Sequence, residues 1–202
     1  MHLDVIPTLR CPREHEDSGL VLVADETAGR HVLTGILGCP VCEAEYPIRA
    51  GVAYFADPVA CPEMPVDVIS TAAMLGLTEP GGVVMLGGGW AGVADAISEM
   101  ADALVLVVNP ATGGDYAEGV SVLYAGDRLP IAARALRAAA IDAPVPGVVA
   151  AIRPKGRLTA TGNVPVPNDI IEIARDADYW VGEVSASPRP PAGLTPLRIV
   201  RR

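Results

Sequence analysis

The sequence predicts an α/β protein with a mostly parallel sheet, preceded by a small metal-binding module. From about Val66 onward, short apolar runs alternate with alanine-rich segments, which is the pattern of βαβ units. The first of these runs, VVMLGG, leads into a glycine turn, GGGWAG. Three of the four cysteines and all three histidines lie before residue 58, which points to a different kind of structure there.

Composition excludes several classes of function. The net charge of −9 argues against a general binder of nucleic acid, because such affinity depends on a basic surface. No apolar run approaches the roughly 20 residues that a membrane-spanning helix needs. The first ten residues lack the pattern of a secretory signal. We therefore expect a cytoplasmic protein with reduced cysteines, which are better metal ligands than disulfide partners.

The chain divides into three predicted parts. Residues 1–57 form the small module, residues 58–65 a linker, and residues 66–202 the α/β domain. The stretch DPVACPEMPVD, which begins at Asp57, contains three prolines in eleven residues and suits a boundary.

The small module carries two cysteine-bearing turns on either side of a predicted hairpin. The first turn, CPREH, holds Cys11 and His15, and the second, CPVC, holds Cys39 and Cys42. Zinc takes four nitrogen or sulfur ligands in a tetrahedron, and a CxxC turn directs two thiolates at one point. The sequence therefore predicts a zinc site. The fourth ligand is open: His15 is favoured, with His31 and Cys61 as alternatives.

The larger domain is predicted to consist of alternating strands and helices. The predicted strands are VVMLGG, ALVLVVNP, VSVLYAG, LRAAAID and the segment after a Pro-Lys-Gly turn. A helix is predicted between residues 68 and 76, ended by the EPGG turn, and another over AGVADAISEM. NDIIEIARDA is predicted to be a helix with Asn168 as its N-cap. DYWVGEVSAS and PLRIVRR are predicted to close the domain as a β-hairpin.

Residues 9–56 resemble the Trm112-type zinc ribbon. The resemblance lies in LRCP, a hairpin and LGCPVCEAEYPIRAGVAYF, and its most specific part is the CPVC…YPI…GV string. Such ribbons serve methyltransferases, either as separate subunits or as fused N-terminal domains. The resemblance implies that the ribbon binds a protein partner or a second copy of the chain.

Residues 65–202 resemble class I S-adenosylmethionine-dependent methyltransferases. The matching pieces occur in order: GGVVMLGGGWAG, LVLVVN, AGDRLPI and AAIRPKGRL. The resemblance implies a cofactor site with Gly87 and Gly89 in the loop, Trp90 beside them, Asn109 at the ribose and Asp127 at the adenine. Two positions depart from the family, because Met85 and Asn109 stand where it has acids.

Three hypotheses follow for function. The first is a methyltransferase of unknown substrate, in which no catalytic set stands out and Asp142 is a candidate base that more readily ends a strand. The second is a catalytically inactive methyltransferase fold that serves as a scaffold or partner-binding protein. The third is an NAD-type Rossmann domain, which the closing hairpin and the absence of an acid after the second strand disfavour.

Overall fold

The computed structural model describes residues 1–59, 61–111 and 116–186. The strands in these ranges are β1 (Val21–Ala28), β2 (His31–Gly38), β3 (Glu45–Arg49), β4 (Val52–Tyr54), β5 (Val83–Gly87), β6 (Leu104–Val108), β7 (Val120–Tyr124), β8 (Leu136–Ile141), β9 (Ile152–Thr161), β10 (Ile170–Arg175) and β11 (Tyr179–Val184). The helices are α1 (Val68–Leu75), α2 (Ala94–Ala101) and α3 (Val148–Ala151), with 3-10 helices at Leu3–Thr8 and Gly88–Val93.

All eleven strands form one mixed sheet in the order β1-β2-β3-β4-β7-β6-β5-β8-β9-β11-β10. The strands β7, β6, β5, β8 and β9 run parallel to one another. Their order places the first strand of the series in the centre, which is the doubly wound arrangement. The hairpin β10–β11 then adds to β9 with β11 antiparallel to it. The predicted α/β class, with a parallel sheet and a closing hairpin, therefore matches the described part of the chain.

The central strands are buried on both faces. Every residue of β5, β7 and β8 is buried, and only Ser121 in β7 and Arg137 in β8 interrupt their apolar sequences. On one face, Leu75 of α1, Ile97 of α2 and the Trp90 side chain pack against the sheet. On the other face, the core of the N-terminal module joins the core of the parallel strands in a single apolar cluster.

The N-terminal module is built into the sheet. Strand β4 runs parallel to β7, with Val52 opposite Val122 and Ala53 opposite Leu123. A second junction joins the first cysteine turn to the loop after β7, where the Arg10 amide donates to the Pro130 carbonyl at 3.0 Å. The three-part division of the chain stays a prediction, but the module and the α/β region share one sheet.

Most of the predicted elements of the α/β region are present in the structure. Strands β5 to β8 lie within the predicted segments, β9 begins at Ile152, ahead of its predicted segment, and α2 follows the glycine turn as expected. Helix α1 occupies the predicted span, and Gly76, in a left-handed conformation with φ of 65°, caps it ahead of the EPGG turn. The Pro-Lys-Gly turn lies inside the span of β9 as an irregularity, with Lys155 at φ of 63°.

One predicted helix is wrong. NDIIEIARDA contains strand β10, so Asn168 does not cap a helix. Ile170, Ile171 and Ile173 are β-branched, and β11 offers a pairing edge, so strand pairing prevails over helical spacing. The closing hairpin is formed by β10 and β11, while the predicted partner PLRIVRR lies outside the described residues. Within the described ranges, no helix has the length and apolar character to cross a bilayer.

Candidate functional site

The structure brings four predicted metal ligands together. Cys11 and His15 come from the first turn, and Cys39 and Cys42 come from the turn between β2 and β3. Their ligand atoms all lie within 4.8 Å of one another. The second turn is held by hydrogen bonds from the Cys39 amide to the Ala44 carbonyl and from the Glu43 amide to the Cys39 carbonyl.

The spacing of these atoms fits a tetrahedral zinc ion. The Cys11 and Cys42 sulfurs are 3.7 Å apart, and the Cys39 sulfur lies 3.5 Å from His15 Nε2. Zinc with Zn–S of ~2.3 Å and Zn–N of ~2.0 Å in a tetrahedron requires S···S of about 3.8 Å and S···N of about 3.5 Å. Three thiolates and one imidazole are also the donor set that zinc prefers. The residues therefore fit the metal.

The surroundings of the cluster favour thiolates at two of the cysteines. Burial alone would raise the pKa of the Cys11 thiol, but hydrogen bonds bring it below its usual value, the largest being that of the Tyr46 hydroxyl at 3.3 Å. Burial likewise opposes ionisation of Cys39, and hydrogen bonds from the turn backbone at Cys42 and Val41 outweigh it and lower its pKa. Outer partners of this kind orient metal ligands.

The two alternatives for the fourth ligand lie elsewhere. His31 begins β2, where its ring packs edge-on against His2 and its Nε2 contacts the Glu118 carbonyl. Cys61 lies beside Asp142, with its sulfur 3.2 Å from the carboxylate. Among the described residues, His15 therefore lies with the three cysteines, and His31 and Cys61 do not.

The predicted cofactor loop lies where a doubly wound sheet binds ligands. Strand β5 has β6 on one side and β8 on the other, and the crevice at the carboxyl ends of β5 and β8 is the topological switch point. Gly87 ends β5 at this crevice, and Asp142 directly follows β8. The glycine turn and Asp142 therefore face each other at the expected place.

Asp142 closes the crevice from one side. Its Oδ2 accepts a hydrogen bond from the Gly89 amide at 2.7 Å and one from the Cys61 thiol at 3.2 Å. Burial and the neighbouring carboxylate raise the pKa of Cys61 to about 11, so this thiol keeps the proton that it donates. The amide of Gly89, which the resemblance places in the cofactor loop, already has an acceptor in the chain itself.

Residues 61–64 cover the glycine turn, and we call them the covering segment. A Cβ placed on Gly89 would lie 2.7 Å from the Met64 Cβ and 3.1 Å from the Pro62 carbonyl oxygen. A Cβ on Gly88 would overlap both carboxylate oxygens of Asp142. The glycines are thus required for close contact with this protein's own segment.

Trp90 belongs to the core. Its side chain is 0% exposed, and its ring packs on Tyr179 at a centroid distance of 5.4 Å. Among the described residues the indole nitrogen has no hydrogen-bond partner. Met85 is fully buried in the apolar cluster on the opposite face of the sheet. Neither side chain has a free surface for a ligand in this conformation.

The side-chain amide of Asn109 makes two hydrogen bonds with the backbone of Ala125. Its Nδ2 donates to the Ala125 carbonyl at 3.0 Å, and its Oδ1 accepts from the Ala125 amide at 2.8 Å. These bonds join the ends of β6 and β7 and hold Asn109 in a left-handed conformation with φ of 50°. Asp127 is exposed on the loop after β7.

The predicted cofactor residues lie at or after the carboxyl ends of β5, β6 and β7, but they do not fit S-adenosylmethionine in this conformation. The Gly89 amide and the Asn109 side chain have partners already, and residues 61–64 lie over the turn. The role of the covering segment was not predicted from the sequence, because its composition is that of an ordinary linker. It considered Asp142 as a base, whereas the structure shows it as the acceptor that closes the turn.

A separate apolar cavity of about 630 Å³ lies beside the segment that follows β8. It is lined by Pro144, Val145 and Pro146, together with Val164 and Val184 from the hairpin side of the sheet. The predicted cofactor residues are not among those that line this cavity.

No protein-family model matches the chain, and no curated protein matches it. Among solved structures, the chain is similar to the antibiotic-resistance methyltransferase Kmr, with a TM-score of 0.40 and 11% identity over 64% of this chain and 98% of that one. It is also similar to a putative sarcosine dimethylglycine methyltransferase from Galdieria sulphuraria, with a TM-score of 0.37 and 12% identity over 46% of this chain and 44% of that one.

Proposed function

We propose that this chain is a zinc-bearing protein with a class I methyltransferase-like fold that acts by binding a partner and not by methyl transfer. The observation that carries the proposal is the closed switch-point crevice. Asp142 and residues 61–64 make the contacts with the glycine turn that the cofactor would otherwise make. The strand order β7-β6-β5-β8-β9, followed by the β10–β11 hairpin, supports the fold.

In this proposal the N-terminal module is a Trm112-type ribbon, and its zinc is structural. Four protein ligands leave no open coordination position, so the metal would supply folding energy and no chemistry. The module extends the sheet through β4 and anchors the loop after β7 through Arg10 and Pro130. Its other surfaces are available for a protein partner.

Binding S-adenosylmethionine as class I methyltransferases do would require the loss of several hydrogen bonds within the chain. The Gly89 amide would have to leave the Asp142 carboxylate, and hydrogen bonds to charged groups contribute about 1.5–3 kcal/mol. The amide of Asn109 would have to leave Ala125. Met85 offers no charge in return, so each lost contact weakens the affinity by about tenfold or more.

Calorimetric titration tests the proposal. We expect no saturable heat when the zinc-loaded chain is titrated with S-adenosylmethionine or its demethylated product at about 1 mM, the weak end of specific binding. Saturable binding in the micromolar range by the wild-type chain would contradict the proposal.

A methyltransferase whose covering segment moves aside is the second candidate. The retained doubly wound sheet, the glycine turn and the exposed Asp127 favour it. Replacing Met64 with glycine removes the side chain nearest to Gly89, so the same titration on Met64→Gly separates the two candidates. Binding by the variant favours the enzyme, and continued absence of binding favours the partner-binding protein.

A further inference from the structure

We propose that the open edge of β1 is a docking site for an extended, basic segment of a partner protein, which pairs with β1 and adds a strand to the sheet. This inference deepens the proposed binding role by naming the class of partner. It depends on the N-terminal module alone, so its outcome is separate from that of the cofactor titration.

Strand β1 is the terminal strand of the sheet. Among the described residues, its eight residues pair only with β2, so its other edge presents backbone amide and carbonyl groups without a strand partner. Such an edge is a template for another extended chain, and strand addition is a common mode of peptide recognition.

An apolar surface lies beside this edge. Val21 and Val23 are 57% and 60% exposed and share one face of β1, where Ile36 lies opposite Val23. Val41, in the CPVC turn, is 45% exposed. A shallow cavity of about 400 Å³ is lined by Val21, Val23, Ile36, Gly38, Cys39, Pro40 and Glu45. Alternate apolar side chains of an added strand would lie against this surface.

The negative charge near the edge of β1 favours a basic partner. Residues 21–45 contain one cation, Arg30, which pairs with Asp4, and four acids: Asp25, Glu26, Glu43 and Glu45. All four are exposed. A segment that carries lysine or arginine between its apolar residues would place opposite charges across the pair, which stabilises it.

The same acids disfavour a second copy of the chain as the occupant. Pairing β1 with β1 would bring the acids of the two copies close together, and like charges on paired strands are destabilising. The net charge of −9 adds a general repulsion between copies. The acidic edge thus discourages self-association while it attracts a basic strand.

The opposite end of the sheet supplies a matched control. Among the strands of the described ranges, β10 is the other terminal one, and its Ile171 is 59% exposed. Its charges are balanced locally, since Arg175 pairs with Glu172 at 2.8 Å. It offers a similar apolar edge without the acidic excess of β1.

Fluorescence anisotropy with a labelled peptide tests the proposal on the zinc-loaded full chain. The probe is a peptide of about ten alternating valines and lysines, long enough to pair along a whole strand. We expect it to bind, with added protection from hydrogen exchange confined to β1. Val23→Lys and the double variant Asp25→Lys/Glu26→Lys are each expected to weaken binding by at least about tenfold, from lost apolar and charge contacts. Ile171→Lys is expected to leave binding unchanged.

Four outcomes would overturn the inference. The first is the absence of peptide binding by the wild-type chain. The second is equal binding by the β1 variants, or equal weakening by Ile171→Lys. The third is equal affinity for a peptide with glutamate in place of lysine. The fourth is dimerisation of the wild-type chain, seen by light scattering and abolished by Val23→Lys, which would assign the edge to a second copy. Zinc content of each variant confirms that the module remains folded.

Discussion

Replacing Cys39 with serine is expected to release the zinc ion and unfold the N-terminal module. Cys39 is one of four ligands, and its sulfur lies 3.5 Å from His15 Nε2. Structural zinc in small modules contributes an apparent free energy of about 10–16 kcal/mol, so loss of the ion outweighs the module's own packing. Elemental analysis should show zinc falling from about one ion per chain to near zero.

The effect should extend to the loop after β7, because the first cysteine turn holds it. The Arg10 amide donates to Pro130, the Ala132 amide donates to Thr8, and Arg128 contacts the Arg13 carbonyl. We expect the Arg10 and Ala132 amides to exchange faster in Cys39→Ser, while those of β5 and β6 stay protected.

Cys61→Ser is the matched control for zinc loss. The Cys61 thiol donates a hydrogen bond to Asp142 and lies outside the ligand cluster, so this variant should keep its zinc. Full zinc occupancy in Cys39→Ser with unchanged exchange at Arg10 would contradict the assignment of the site. Zinc loss in Cys61→Ser would contradict it equally.

Replacing Gly88 with alanine is expected to lower the free energy of unfolding by about 3 kcal/mol. Gly88 has φ of 59°, a left-handed conformation that costs alanine about 1–2 kcal/mol. The new methyl group would also overlap the Asp142 carboxylate and push it from the Gly89 amide. Urea denaturation of the zinc-loaded chain measures the change.

Gly92→Ala provides the comparison in the same turn. A Cβ at Gly92 meets no atom within 4 Å, and its φ is not in the left-handed region. Its stability should stay within about 0.5 kcal/mol of wild type, as for most surface substitutions. Equal stability of the Gly88 and Gly92 variants would show that Asp142 does not close the turn.

Much of the fold could be predicted because its signals are local. Strands β5 and β6 lie in the centre of the sheet with nearly all of their residues buried, and they therefore read as continuous apolar runs. The cysteine turns are also local, since CPVC alone places two thiols at one point. The short distance between Cys11 and Cys42 follows once the β1–β2 hairpin forms between the turns.

The remainder depends on contacts between distant residues. Ile171 and Ile173 suit a helix or a strand, and only pairing with β11 decides between them. The β4–β7 pairing joins residues about 70 positions apart in a parallel ladder that no sequence period marks. The seating of Met64 on Gly89 depends on shape, and a proline-rich linker carries no signal for it.

Hydrogen exchange at the Gly89 amide, followed by NMR in the zinc-loaded chain, tests the central claim most directly. If Asp142 and residues 61–64 close the crevice, this amide should be protected, and S-adenosylmethionine should leave its exchange rate unchanged. Exchange at the rate of a free amide, or protection that changes at residues 87–92 when S-adenosylmethionine is added, would show that the crevice is open to the cofactor.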